Sequence, residues 1–295
     1  MDGTLIRAGR AWVVAGRRSP TNDSLVDALR RKGVHAWLVE PRIVDSLARA
    51  GDCVLGRLDV RCTLDGVEDG IGHLRWLAGR GIPVLNETEA LLACHDKLRT
   101  VLRLGRLGLP QPATAHLDDG APLPRVGFPV VVKPRFGSWG AEVFCCRTAA
   151  GLERCLRGLR RRSWFRRHGA LLQELVPPTG SDLRIVVAGG RVVGAIERVA
   201  ASGEWRTNVG LGGSRRPVDP PEDACVLALA AAEAVGSDLV GVDLLPVPGG
   251  GHLVLELNGA VDFTSDYSLT GHDVFDEVAE TIAATLDAGL GAARR

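Results

Sequence analysis

Short apolar runs alternate with longer amphipathic segments over the first 85 residues. The runs are typical of buried strands and occupy residues 11–15, 35–39, 52–55 and 82–85. Between them the pattern predicts one helix that begins at the capping side chains of residues 21–24 and ends at Gly33, and another over residues 70–78. This order of strands and helices is typical of a small parallel-sheet lobe. The lobe has no G-x-G-x-x-G segment, so the pattern does not indicate a dinucleotide site.

The remaining chain falls into two further regions. Residues 86–110 are predicted as one helical segment, and the turn residues after it end it. The predicted elements of the second region are strand 129–133, a glycine-rich loop 134–140, strand 142–146, helix 149–161 and strand 171–176. Those of the third region are the hairpin strands 183–188 and 191–196, helix 221–235, the hairpin strands 240–247 and 252–258, and helix 273–288. We therefore predict an α/β fold in three lobes, 1–85, 86–175 and 176–295.

Composition and charge narrow the class of protein. The chain is 45% hydrophobic and 24% charged, as globular proteins are, and no apolar run is long enough to span a bilayer. A net charge of +1 favours neither nucleic acid nor a membrane surface as a partner. No two of the seven cysteines have the C-x-x-C spacing, which argues against a zinc site. The cysteines are therefore predicted to be reduced thiols in a cytoplasmic protein.

The second predicted hairpin carries acidic residues on apolar strands. If its turn centres on Gly249-Gly250, Asp243 lies opposite Glu256, and Asn258 shares the face of Glu256. Two facing carboxylates repel each other unless a positive charge sits between them. A hard divalent cation with oxygen ligands, such as Mg²⁺, would supply that charge. The alternative is an exposed sheet face where both acids are solvated.

Lysine is rare in this chain, since only three of the 36 basic residues are lysines. Two of the three lysines lie where they could reach a phosphate group. Lys97 lies in the helical segment, and Lys133 ends a strand that enters the loop with Gly137, Ser138 and Gly140. A compact ammonium group and close backbone N–H groups suit phosphate oxygens. Because the loop is not a Walker A sequence, this signal is weak by itself.

Taken in order, these segments resemble the ATP-grasp superfamily, and within it the RimK/LysX-type ligases. The matching segments are Asn86 with Asp96-Lys97, Val132-Lys133-Pro134 with Gly137-Ser138-Trp139-Gly140, Gln173-Glu174, Ser181 to Arg184, Ala195 to Arg198, Trp205 to Asn208 with Gly212-Gly213, Gly241 to Asp243, and Glu256 to Asn258. The resemblance implies a Rossmann-like N-terminal lobe and two further lobes that hold ATP between them.

The resemblance also implies a role for each candidate residue. Catalytic roles would fall to Arg184, Arg198 and Asn208, which stabilise charge on the transferred phosphoryl group and the tetrahedral intermediate. Contacts to ATP would come from Lys97, Lys133, Gly137, Ser138, Gly140, Glu174, Leu175, Asp182, Arg206, Thr207 and Asn208, with Asp182 at the ribose. Two Mg²⁺, or Mn²⁺ in their place, would be held by Asp243, Glu256 and Asn258.

The implied activity is an ATP-dependent ligase that joins a carboxylate to an amine through an acyl phosphate. The first choice is a LysX-like enzyme that joins an amino acid to the terminal glutamate of a small acidic carrier protein. A RimK-type glutamate ligase acting on a cofactor or a ribosomal protein tail is the alternative, and a non-catalytic ATP-binding regulator is the alternative from another class. The resemblance further implies a dimer or tetramer.

Two other features of the sequence are rich in arginine or place one after a strand. The arginine-rich run 154–167 suits a solvated surface, an acidic protein partner or, because of Trp164 and Phe165, RNA. Arg57 follows a predicted strand and suits either a substrate carboxylate or the surface.

Overall fold

The computed structural model describes residues 9–120, 122–124 and 127–293. These residues form three sheets with helices around them, as the predicted α/β class requires. The outermost residues of the predicted first and last lobes, 1–8 and 294–295, and residues 121 and 125–126 of the central lobe lie outside this description. The division into three lobes stays a prediction.

The first sheet is parallel, with the strand order β2-β1-β3-β4. Its elements are β1 (Arg10–Val14), α1 (Pro20–Arg31), β2 (His35–Val39), α2 (Pro41–Leu47), β3 (Cys53–Gly56), α3 (Ile71–Gly79) and β4 (Val84–Leu85). Helix α1 begins earlier than predicted, because Ser19 is its N-cap and accepts a hydrogen bond from the backbone N–H of Asn22 at 3.3 Å. Sequence reasoning missed the short helix α2, which proline opens at its first position.

The segment predicted as one helix over residues 86–110 is two helices, α4 (Thr88–His95) and α5 (Lys97–Arg106). Asp96 has extended backbone, ends α4 and caps α5 by accepting from the backbone N–H groups of Leu98 and Arg99. Its carboxylate also receives the guanidinium of Arg135 at 2.6 Å through both oxygens. This break aims Lys97, the first residue of α5, at the glycine-rich loop.

The central sheet is antiparallel, with the order β5-β8-β6-β7. Its elements are β5 (Thr114–Leu117), β6 (Val130–Pro134), β7 (Phe144–Cys146), α6 (Ala149–Leu159), α7 (Ser163–His168) and β8 (Ala170–Glu174). Helices α6 and α7 pack on one face of the sheet through Leu152, Leu156 and Trp164. Lys133 and the glycine-rich loop lie at the end of β6 and beyond it.

The third sheet is antiparallel, with the order β11-β10-β9-β12-β13. Its elements are β9 (Ser181–Ala188), β10 (Arg191–Val199), β11 (Ser214–Pro217), α8 (Glu222–Val235), β12 (Leu239–Pro246), β13 (His252–Asn258) and α9 (Val274–Ala293). One face packs on α8 through alternate apolar residues such as Ile185, Val187 and Val242. The opposite face is apolar where α9 and the first sheet cover it and charged where it borders the central sheet.

Buried polar side chains tie the chain after β13 to the N-terminal half. Thr21 exchanges hydrogen bonds with the backbone of Phe263 at 3.0 and 3.2 Å. The amide of Asn86, which is fully buried, bonds the backbone N–H and C=O of Leu239 at 2.7 Å each. These contacts hold the strands that carry the charged face against the first sheet. Among the described residues no helix is both long and apolar enough to cross a membrane.

Candidate functional site

The β12–β13 hairpin places its two acids opposite each other, as predicted. Asp243 pairs with Glu256, and Asn258 pairs with Gly241 on the same strands. The turn itself differs from the prediction, since Pro246 pairs with His252 and a register shift follows Asp243. The bulge therefore restores a pairing that the position of the turn alone would have moved by one residue.

Charged side chains form two rows across the part of the third sheet that borders the central sheet. The register aligns Arg215 with Arg198 and Arg198 with Asp182 in one row, and Arg184 with Asp243 and Asp243 with Glu256 in the other. Because Asp182 and Arg184 are two residues apart on β9, the rows share one face. Positive groups thus lie towards β11 and negative groups towards β13.

Asp243 lies at the centre of a buried ion-pair network. Arg184 donates to its two carboxylate oxygens at 2.7 and 2.8 Å, and Arg198 donates at 2.8 Å. Arg198 also pairs with Asp182 at 2.7 and 2.6 Å. Burial alone would raise the pKa of Asp243, but Arg184 and Arg198 outweigh it and hold that pKa at about 2. The charge that we expected between the two acids is therefore supplied in part by the chain's own arginines.

Two lysines face these acids from the other side. The ammonium of Lys97 donates to the carbonyl of Gly137 and lies 3.4 Å from the carboxylate of Glu256. Lys133 is buried and donates to the side-chain oxygen of Gln173 at 2.9 Å. Burial lowers the pKa of Lys133 to about 8, against the opposing charge of Glu256.

The glycine-rich loop contacts the segment that follows β10. Trp139, half exposed, and Gly140 both have positive φ, 59° and 72°. A Cβ at position 140 would lie 2.8 Å from the side-chain oxygen of Asn208, so this close approach, like the positive φ, favours glycine. Arg206 donates to Glu204 and reaches the carbonyl of Gly140 at 3.4 Å. The loop is thus held over the charged face.

The central and third sheets border a cleft of about 1010 Å³ that opens to solvent. It brings together most of the residues singled out from the sequence. They are Lys97, Lys133, Gly137, Ser138, Gly140, Glu174, Leu175, Asp182, Arg198, Arg206, Thr207, Asn208, Asp243 and Glu256. The side chain of Asp182, expected at a ribose, receives Arg198 and the hydroxyl of Thr207 at 2.5 Å.

A second cavity of about 750 Å³ adjoins the cleft and shares with it Lys97, Arg198 and Glu256. The other two predicted site residues, Arg184 and Asn258, line this cavity. Sequence reasoning missed several of its lining residues, namely Asp59, Trp139 as a wall residue, Arg215, Asp262 and Tyr267. Trp139 stands in the glycine-rich segment that the sequence singles out, but the other four belong to no recognisable local pattern, because elements far apart in the sequence bring them together.

His95, the last residue of α4, also lines the second cavity. Its Nε2 is buried and has no hydrogen-bond partner among the described residues. Burial lowers the pKa of His95 to about 4, so the ring is neutral near pH 7.

Arg57 and the arginine-rich run 154–167 line neither the cleft nor the second cavity. The guanidinium of Arg57 is buried and donates to the side chain of Asn22 at 2.9 Å and to the carbonyl of Val261 at 2.7 Å. It lines neither cavity, so it fixes the chain after β13 from within. In the run 154–167 the arginines are exposed, but Trp164 and Phe165 are buried and present no ring for a base to stack on.

The donors in the cleft suit a magnesium ion bound with few protein ligands. Among the described residues no cluster of three His, Cys, Asp or Glu side chains could hold a metal. Asp243 and Glu256 nonetheless present hard oxygen atoms to one cleft, and Glu256, 24% exposed, has an open side. Asn258 lies one cavity away, and its side-chain oxygen accepts from the backbone N–H of Ala260 at 3.1 Å. The set fits an ion that takes its remaining ligands from phosphate and water.

Comparisons with known proteins agree with this geometry. The model of the family described as "RimK-like ATP-grasp domain" matches residues 95–282. A probable alpha-L-glutamate ligase from Pseudomonas paraeruginosa is 32% identical over 229 residues, which are 76% of this chain and 73% of that protein. Probable alpha-L-glutamate ligase 2 from Hahella chejuensis is 32% identical over 88% of this chain and 90% of its own length. The crystal structure of an ATP-grasp RimK domain protein from Sphaerobacter thermophilus has a TM-score of 0.68 at 22% identity, covering 93% of this chain and 99% of that one, and so supports the fold.

Proposed function

The chain belongs to the RimK-like ATP-grasp family of ligases, and on that premise we propose that it joins an amino acid to a carboxylate through an acyl phosphate, at the cost of ATP. The prediction of an enzyme, rather than a non-catalytic regulator, is confirmed by this membership. The observation that supports the proposal most is the cleft itself, whose lining brings two lysines, Lys97 and Lys133, together with two carboxylates, those of Asp243 and Glu256. A triphosphate with its cation requires both kinds of charge.

In this proposal ATP lies in the cleft between the central and third sheets. Lys97 and Lys133 bind phosphate oxygens, and the backbone of Gly137 to Gly140 covers them. Glu174 and Leu175, at the end of β8, border the adenine, and Asp182 and Thr207 border the ribose. Arg206 lies beside the loop carbonyl at position 140 and adds a positive charge near the phosphates.

Asp243, Glu256 and Asn258 would hold the magnesium ions, two in number by the resemblance. Bound there, magnesium neutralises phosphate charge and orients the γ-phosphoryl group for transfer. The chain's own contribution is to keep Asp243 ionised and fixed, which Arg184 and Arg198 do through three hydrogen bonds.

The reaction needs no covalent enzyme intermediate. An oxygen of the donor carboxylate attacks the γ-phosphorus and ADP leaves; the amine nitrogen then attacks the acyl carbon, phosphate leaves and the amine loses a proton. Arg184, Arg198 and Asn208 line the second cavity, where they stabilise the charge that develops on the phosphoryl group and the tetrahedral intermediate. Positioning and electrostatics carry both steps.

Glutamate is the first amino acid to test, because similar proteins are named as alpha-L-glutamate ligases. We expect ADP release to depend on an amino acid, and hydroxylamine to trap a hydroxamate of the donor carboxylate in place of the amide. Release of ADP without hydroxamate formation would contradict the acyl phosphate. No stimulation by any member of an amino-acid panel would contradict the proposed ligase reaction.

A small acidic carrier protein, the first choice from the sequence, is our candidate for the carboxylate donor. Its support is the exposed side of α6, where Arg154, Arg157 and the following Arg161 have no ion-pair partner among the described residues. Reversing these three charges should raise KM for an acidic protein substrate and leave KM for ATP unchanged; unchanged KM values for both would exclude the docking surface. The cytoplasmic location and the dimeric or tetrameric state stay predictions, and light scattering tests the latter.

A further inference from the structure

Arg215 is the one arginine in the two charged rows that has no carboxylate opposite it. Arg184 and Arg198 are each satisfied by Asp243 or Asp182. Arg215 is exposed on β11 next to Arg198, and in the described part of the chain its guanidinium has neither a hydrogen-bond nor an ion-pair partner. A guanidinium is a planar fork of donors that matches the two oxygens of a carboxylate.

The surroundings of Arg215 form a cavity rather than open surface. It lines the second cavity together with Arg184 and Arg198, beside the cleft where we place ATP. Two carboxylates, Asp59 and Asp262, line the same cavity from the loops after β3 and β13. The lining of this cavity therefore offers both signs of charge to a small ligand, as an amino acid with its ammonium and carboxylate groups requires.

We propose that Arg215 binds a carboxylate of the amino-acid substrate that does not react, and so selects substrates that carry one. The inference rests on the proposed function, since it assigns the amino acid to the cavity beside the phosphates. The carboxylate is either the α-carboxylate, which every amino acid has, or a side-chain carboxylate, which only acidic amino acids have. The chemistry is the same in both cases, and the choice of substrates in the test separates them.

The next residue in the chain supplies a matched control. Arg216 is also an exposed arginine of β11, but it faces the other side of the sheet and pairs with Glu197 at 2.8 Å. It lines neither cavity. Arg216→Gln therefore repeats the change in charge, in strand and in side-chain size without touching the proposed site.

The experiment measures ADP release by wild type, Arg215→Gln and Arg216→Gln with glutamate, glutamine and the α-amide of glutamate as amino acid, each at one saturating concentration of the carboxylate donor on which ADP release by wild type depends. We expect Arg215→Gln to raise KM for glutamate by about tenfold to a hundredfold, the range for a lost charge-assisted hydrogen bond, with KM for ATP unchanged. If the loss extends to glutamine but not to the α-amide, Arg215 binds the α-carboxylate; if it extends to the α-amide but not to glutamine, it binds the side chain.

Equal KM values for glutamate in Arg215→Gln and Arg216→Gln would overturn the inference and leave the proposed function standing. Loss of ATP affinity in Arg215→Gln would also overturn it, because the residue would then serve the nucleotide. A wild-type enzyme that neither releases ADP with glutamate nor is stabilised by it against heat in the presence of ADP would refute glutamate as the substrate and this inference together. Melting temperatures of the variants show that each is folded.

Discussion

Substitutions of Asp243 and Glu256, the two paired acids of the β12–β13 hairpin, distinguish a contribution to stability from a contribution to the reaction. Asp243 is 2% exposed and accepts three hydrogen bonds from guanidinium groups, whereas Glu256 is 24% exposed and lies 3.4 Å from the ammonium of Lys97. In Asp243→Asn, Arg184 loses its carboxylate, while Arg198 keeps Asp182. Both Asp243→Asn and Glu256→Gln remove a carboxylate from the cleft.

The structure sets the expected magnitudes. Removing one partner of a buried ion pair costs about 3–5 kcal/mol. Because Arg184 is 15% exposed and asparagine can still accept a hydrogen bond, we expect Asp243→Asn to lose about 2–3 kcal/mol of unfolding free energy. For a chain of this size that loss lowers the melting temperature by roughly 4–10 °C. Glu256→Gln should lose less, about 1 kcal/mol, because its pair with Lys97 is longer and more open to solvent than the pairs of Asp243.

Urea unfolding measures the stability of each variant, and ADP release measures its turnover. We expect both variants to lose magnesium-dependent ADP release by about a hundredfold or more, since each removes an oxygen ligand, but only Asp243→Asn to be clearly destabilised. Equal stability of the two variants would refute the role assigned to the arginine network. Full activity of Glu256→Gln would refute its role as a metal ligand.

Three further predictions concern pH and the glycine-rich loop. Burial lowers the pKa of Lys133 to about 8, so kcat/KM for ATP should fall above about pH 8 and the fall should be absent in Lys133→Arg; a wild-type profile that stays flat up to the ordinary lysine range would contradict this. The pKa of Asp243 is about 2, below its ordinary value of about 3.9, so the stability that it contributes is complete above about pH 4 and is lost as the pH falls towards 2. Urea unfolding over this range should show a smaller loss for Asp243→Asn than for wild type, and parallel curves would speak against the depressed pKa. Gly140→Ala should raise KM for ATP by about tenfold, because its Cβ would press on Asn208, while Gly120→Ala, at positive φ with open space around it, should leave KM unchanged; equal effects would show that the contact is not what matters.

The sequence predicts well what depends on local pattern and short-range pairing. Most strands and helices, the two hairpins and the pairing of Asp243 with Glu256 follow from alternation and from turns marked by glycine, although α2, β5, α7 and β11 were not predicted. Even there the position of the turn was slightly wrong, and a bulge compensated for it. The resemblance then extended this pattern to the residues that line the cleft.

What the sequence did not predict depends on contacts between distant parts of the chain. The break between α4 and α5 at Asp96 is stabilised by Arg135, 39 residues away. The helical periodicity of the sequence continues across Asp96, and no glycine or proline there indicates that the helix ends. Arg57 could not be assigned to a site or the surface, and it is buried because the chain after β13 closes over it, 204 residues later. Arg215 stands out only once the register of β10 and β11 shows which arginines already have partners.

The central claim is that the carboxylates and lysines of the cleft bind a magnesium–nucleotide complex. Calorimetric titration of a non-hydrolysable ATP analogue into the wild-type protein, with magnesium and with a chelator, tests it most directly. We predict binding at one site that is much tighter with magnesium, and loss of this magnesium dependence in Glu256→Gln. Absence of binding, or equal affinity with magnesium and with the chelator, would contradict the account.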